Sequence, residues 1–179
     1  MMNRKQLVAL NPDFRILDRF SLSILRKISV IYPEWIKYAT ITEFNRTKYL
    51  TIHVPAPVDP TDHDLVISVE VEYYWRITVH FDGHHAHFYM PQKAVGWQVR
   101  NGKRIPKMEY EADAEEQMFE TAHLFIEDIL HERRVVGIKM QNNRLYSGCN
   151  YSSDGLDQIK PGDVTYIRSW LGTYNKRYE

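Results

Sequence analysis

The sequence predicts an α+β fold, a mainly antiparallel β-sheet with two amphipathic helices packed on it. Three observations carry that prediction. Every odd position from Ile67 to Phe81 is apolar or aromatic, and the run meets Asp82-Gly83, a pair suited to a type I′ hairpin turn. Two stretches, opening at Asn11-Pro12-Asp13 and at Asp113, repeat apolar residues at helical spacing. The remaining strand signals come in runs between these helices, which excludes a regular βαβ series and its parallel sheet.

Taken in order, Asn11 reads as an N-cap with Pro12 at the first helical position, and Phe14, Leu17, Phe20, Ile24, Leu25, Ile28 and Ile31 form one apolar face that Tyr32-Pro33 ends. Residues 35–54 read as two short strands around a turn at Asn45-Arg46-Thr47-Lys48, with Leu50, Ile52 and Val54 on the inner side. Pro55, Pro57 and Pro60 make residues 55–64 a loop. The alternation of Ile67, Val69, Val71, Tyr73, Trp75, Ile77, Val79 and Phe81 then enters a long hairpin whose return strand carries Ala86, Phe88 and Met90. A two-residue turn sets Val79 opposite Ala86, Ile77 opposite Phe88 and Trp75 opposite Met90 on the buried side. On the other side His80 faces His85 and Thr78 faces His87, with Arg76 and Tyr89 close by.

Asn101-Gly102 marks a second hairpin, expected to project from the body. The main helix opens at Asp113, where Asp113 and Glu116 resemble a capping box, and Met118, Ala122, Phe125, Ile126, Ile129 and Leu130 form its core face up to about Glu132. A third hairpin turns near Asn142-Asn143, residues 151–163 form a loop, and a last strand runs from Val164 through Trp170 before an aromatic, basic tail.

The 179 residues fit a single domain without staples. Cys149 is the sole cysteine, so no internal disulfide exists, and it reads as a buried structural thiol in a cytoplasmic protein. No stretch nears the roughly 20 apolar residues of a membrane span, so no membrane partner is expected. A net charge of zero argues against direct nucleic-acid binding, yet residues 109–132 hold nine acids and no Lys or Arg. No glycine-rich phosphate loop follows any strand, and no cofactor is expected.

Two features bear on function. His80, His85 and His87 share one hairpin face, with His84 beside the turn. Histidines suit a half-exposed strand, but the same three imidazoles also suit a binding surface, a zinc-type site or an acid–base pair. His85-Ala86-His87 followed by Lys160-Pro161-Gly162-Asp163 is similar to the metal motifs of cupin barrels, but the glutamate and final histidine of that pattern are missing, which leaves a coincidence of turn chemistry. Glu115, Glu116, Glu120, Glu127 and Asp128 are the second feature. They read either as the solvated side of an amphipathic helix or as a polyanion-like face for a basic partner.

ITVHFDGHHAHF, FETAHLFIEDILHERRVVGIKM and YIRSWLGTYNKRYE together resemble bacterial immunity proteins encoded beside polymorphic or contact-dependent toxins. The resemblance implies a non-catalytic cytosolic protein that binds and neutralises a cognate toxin domain. The expected interface is Glu115, Glu116, Glu120, Glu127 and Asp128 first, then His80, His85, His87 and Tyr89. The competing expectation is a small histidine- or metal-dependent enzyme working from the face of the 76–89 hairpin. A homo-oligomer joined through sheet edges stays open as well.

Overall fold

A computed structural model describes the chain except for residues 1–3, 45–46, 59–63, 72–74, 143, 161 and 179. The fold is α+β with mostly antiparallel sheets, as the sequence predicts. The chain opens with a short helix that the pattern did not announce, α1 (Arg4–Leu10). The single helix expected from Asn11 to Ile31 is two elements. Asn11 Oδ1 accepts from the Asp13 amide at 3.0 Å and caps only a 3-10 helix, Pro12–Ile16. Leu17 is then extended, and Asp18 accepts from the Ser21 amide at 2.9 Å to start α2 (Arg19–Ile31). Asp18 is thus a second N-cap inside the apolar pattern. Phe14, Leu17, Phe20, Ile24, Leu25 and Ile28 are buried all the same, while Ile31 at the helix end is exposed.

Five strands form an antiparallel meander in chain order: β1 (Ala39–Phe44), β2 (Thr47–Pro55), β3 (Asp64–Glu70), β4 (Arg76–Phe81) and β5 (His84–Tyr89). The Asn45-Arg46 part of the expected first turn and Tyr73 of the alternation lie outside the described residues. The alternation from Ile67 to Phe81 is not one strand, for the chain reverses after Glu70 and sets Val69 opposite Ile77 and Ile67 opposite Val79. Strands rarely exceed ten residues, so a longer run favours reversal. Odd pairs with odd across this reversal, and Leu65, Ile67, Val69, Ile77, Val79 and Phe81 therefore all reach the same core. The hairpin register follows expectation, with Ile77 opposite Phe88, Val79 opposite Ala86, Thr78 opposite His87 and His80 opposite His85. Asp82 takes the left-handed φ of 55° that the first turn residue needs. Trp75 departs from expectation. Its carbonyl still accepts from the Met90 amide at 3.4 Å, but its ring is 43% exposed at the sheet end, stacked between Phe20 and Tyr110.

The second hairpin, β6 (Gln92–Arg100) and β7 (Lys103–Tyr110), forms its own two-stranded sheet, longer than the sequence suggests and exposed along almost its whole length. From its base the chain enters α3 (Ala114–Leu130). Asp113 occupies the N-cap position without making a cap bond; its carboxylate accepts from the Gln117 amide at 2.7 Å, so the expected capping box does not form. Met118, Phe119, Ala122, Ile126 and Ile129 pack with Ile28 of α2 and its C-cap residue Tyr32 against Ile67 and Ile77 of the five-stranded sheet. Phe125, expected in the core, is half-buried, with its ring 5.4 Å from that of Phe88.

The chain then forms a four-stranded sheet in the order β11-β10-β8-β9, from β8 (Arg134–Gln141), β9 (Arg144–Ser152), β10 (Tyr166–Arg168) and β11 (Lys176–Arg177). The last strand is thus shorter than expected, and the tail returns to pair Arg177 with Tyr166. Cys149 is exposed rather than buried, because β9 is an edge strand whose opposite side, at Gly148, meets the hairpin turn. A Cβ on Gly148 would stand 2.1 Å from the Gly83 carbonyl oxygen. His84 closes the same junction. Its Nδ1 lies 3.3 Å from the Gly148 carbonyl, which only an Nδ1–H can satisfy, and its Nε2 then accepts from Asn150 at 2.6 Å. Among the described residues no helix is long and apolar enough to cross a membrane.

Candidate functional site

With the helices on one side of the meander, alternate side chains point to the other. Register aligns them in rows across the strands. Thr51, Ser68, Thr78 and His87 form one row, and His53, Val66, His80 and His85 form the next. Arg76 pairs with Glu70 on β3 and Tyr89 on β5 in a third. The three expected histidines are therefore together: ring centroids lie 5.2 Å apart for His80 and His85 and 4.8 Å for His85 and His87, with Tyr89 6.0 Å beyond His87.

A hydrogen-bonded chain underlies this surface. Arg76 forms an ion pair with Glu70, its Nε at 2.9 Å, and a second nitrogen reaches the Tyr89 hydroxyl at 3.3 Å. Thr78 Oγ1 donates to Glu70 Oε1 at 2.9 Å and lies 2.9 Å from His87 Nδ1. Its one proton is spent on the carboxylate, so His87 must donate from Nδ1 and present Nε2 outward. Glu70 and Thr78 thus fix the tautomer and ring orientation of an exposed histidine. Sequence reasoning missed Glu70, because reading residues 67–81 as one strand hid the β3–β4 pairing that puts it beside Arg76 and Thr78.

Burial first, then the neighbouring His85 and His87, hold the His80 imidazolium below the ordinary histidine range, against an opposing pull from Glu70. His87 is lowered by burial, then by Arg76 and His85, again against Glu70. Both folded-state values lie below the unfolded ~6.5, so the unfolded chain takes up protons first and stability falls as pH drops below about 6.5. The urea midpoint should therefore fall between about pH 7.5 and 5.5, and a His80→Asn/His87→Asn variant should lose most of that slope. An unchanged slope in the variant would show that these imidazoles are not strained against protonation.

Among the described residues, no group of three His, Cys, Asp or Glu side chains is placed to hold a metal ion. The histidines form a ladder rather than a converging set. The acids of α3 lie elsewhere, since that helix packs on the opposite side of the sheet. Most have internal partners. Glu115 accepts from Ser23, Glu116 pairs with Lys27, and Glu127 accepts from the Tyr32 hydroxyl while lying near His123 and His131. Asp128 takes Arg133 at 2.8 Å and Arg134 at 3.4 Å. Burial pushes the Tyr32 phenol up, and the hydrogen bond it gives Glu127 adds to that, so this carboxylate is bound into the α2–α3 junction. Glu120 alone of the five points outward with no partner among the described residues. The histidine face and α3 adjoin at the edge of β5. There a cleft of about 420 Å³ is lined by His87, Tyr89 and Pro91 on one side and by Gln117, Met118 and Thr121 of α3 on the other. Comparison of the chain with protein-family models, with curated proteins and with solved structures finds no match.

Proposed function

We propose that this is a non-catalytic binding protein of the immunity type, which neutralises a cognate toxin domain in the bacterial cytoplasm through the histidine face of the five-stranded sheet. The observation that supports it best is the chain Arg76–Glu70–Thr78–His87, which holds exposed His87 and Tyr89 in one orientation beside exposed His85. Interfaces gain most from aromatic and arginine groups that lose little freedom on binding, and Tyr89 over Arg76 is such a group. The resemblance of the hairpin, α3 and the closing segment to immunity proteins gives the partner class. The helix acids rank second as an interface, because four of the five already serve the fold.

The test is binding to, and protection from, the toxin encoded beside this gene. His87→Ala/Tyr89→Ala should weaken binding by about 100-fold, or ~2.7 kcal/mol, with the melting temperature little changed. Glu120→Lys should leave it intact. If Glu120→Lys abolishes protection and the sheet variant does not, the interface is the helix; if no product of the adjacent gene binds, the immunity reading fails.

One observation favours a second reading, acid–base chemistry on the same face. A carboxylate–hydroxyl–imidazole chain that fixes a tautomer is also how a catalytic histidine is oriented. Its metal-dependent form requires stoichiometric zinc in the purified protein that His85→Ala/His87→Ala removes, and metal-free protein would end that form.

A further inference from the structure

The β6–β7 arm has two unlike faces. Cross-strand pairing places Val99 with Arg104, Trp97 with Pro106 and Ala94 with Met108 on one side. This side is apolar and bare: Trp97 is 62% and Val99 75% exposed, and the Arg104 guanidinium lies over the Trp97 ring. The other side carries Lys93, Arg100, Lys103 and Lys107. With Arg104 and the single acid Glu109 the arm has a net charge of +4, whereas α3 has five acids and no Lys or Arg. A bare apolar stripe on a projecting ribbon marks an interaction surface.

The arm's edges differ too. A two-residue turn at Asn101-Gly102 makes Trp97–Pro106 and Val99–Arg104 non-hydrogen-bonded pairs, whose backbone groups point outward. Pro106 lacks an amide and blunts the β7 edge, so β6 is the edge able to receive another strand. The same reasoning applied to the Asp82-Gly83 hairpin directs the amide and carbonyl of His87 away from β4, toward the cleft beside α3. On the α3 side of that cleft the charges are negative: Glu111 and Asp113 accept from the neutral Gln117 side-chain amide, and Glu120 is exposed one turn on.

We propose that two copies of this chain associate by exchanging arms, the β6 edge of each adding to the β5 edge of the other beside Gln117 and Thr121 of α3. The arm and the cleft adjoin, since Pro91 lines the cleft and Gln92 begins the arm. A two-fold axis near that point lets both arms be used reciprocally and closes the assembly. Charge selects this contact over arm stacked on arm, which would bring together two ribbons of net +4. The basic arm meets Glu111, Asp113 and Glu120 instead.

Light scattering of the full chain across a concentration series should give twice the 21.3 kDa chain mass. Trp97→Asp/Val99→Asp should weaken association at least ~10-fold, with the melting temperature unchanged at dilutions where the wild type is monomeric, because these side chains are exposed in the single chain. Thr121→Arg, which blocks the cleft from its α3 side and repels the arm, should do the same. Mixing the two variants should restore a weaker dimer, since one intact arm then meets one intact cleft. A monomeric wild type, a dimer that survives either variant, or mixed variants that stay apart would each overturn the proposal. So would wild-type protein that is monomeric after nuclease treatment and copurifies with nucleic acid only while Trp97 and Val99 are intact, which would assign the arm to a polyanion.

Discussion

Gly148→Ala is expected to destabilise the protein by more than about 3 kcal/mol, at the upper end of what added core volume costs. The added methyl would lie 2.1 Å from the Gly83 carbonyl oxygen and 2.6 Å from its carbon, and both are backbone atoms that no rotamer change can move. Relief requires β9 to withdraw from the tip of the Asp82-Gly83 hairpin. That withdrawal also breaks the two hydrogen bonds of His84 to Gly148 and Asn150. Gly155→Ala is the matched control, because a Cβ there meets nothing within 4 Å. Urea titration of the two variants measures the difference. Equal midpoints would mean that the hairpin tip and β9 do not meet as described.

The second large effect is at Glu132. This residue follows the C-terminus of α3 with a left-handed φ of 55° and is only 7% exposed. An acid at the negative end of a helix dipole, in a conformation that favours glycine, needs compensation. Its carboxylate supplies it by accepting from the amides of Leu171 at 2.9 Å and Thr173 at 3.2 Å, which anchors the C-terminal segment. Burial alone would raise its pKa; hydrogen bonds from Ser169, Thr173 and the Leu171 and Thr173 amides together outweigh that and hold it below the ordinary glutamate range. Glu132→Ala leaves two amides without an acceptor and should cost about 2–4 kcal/mol. Because the folded-state value is depressed, the contribution is full above the unfolded pKa of ~4.3 and is lost as pH falls below it. The gap in urea midpoint between wild type and Glu132→Ala should therefore narrow below about pH 4. A constant gap would show that the charge is not what holds the segment.

His80 and Glu132 illustrate how far local pattern reaches. The register that gathers His80, His85 and His87 follows from a two-residue turn and a period of two, both visible in the chain, and it appears in the structure unchanged. Glu132 reads in the sequence as one more acid of a charged helix. Its buried role depends on amides about forty residues later. The same applies to Glu115, Glu116, Glu127 and Asp128, whose spacing suggests a free anionic face, and whose partners Ser23, Lys27, Tyr32, Arg133 and Arg134 include residues from a helix about ninety positions away.

By itself the sequence determined the fold class, most of the apolar face of α2, α3 and the β3–β5 strands, the histidine row and both Asx-Gly hairpin turns, since these rest on local period and turn chemistry. Tertiary structure alone decided that the alternation from Ile67 to Phe81 is two paired strands rather than one. The same parity of side chains suits either arrangement, and only the reversal after Glu70 distinguishes them. It also decided that Glu70 orients His87 through Thr78, that Gly148 seats the hairpin tip, and that the acids of α3 are largely engaged within the fold. Each of these depends on which strands pair and how sheets and helices pack, which no local period specifies.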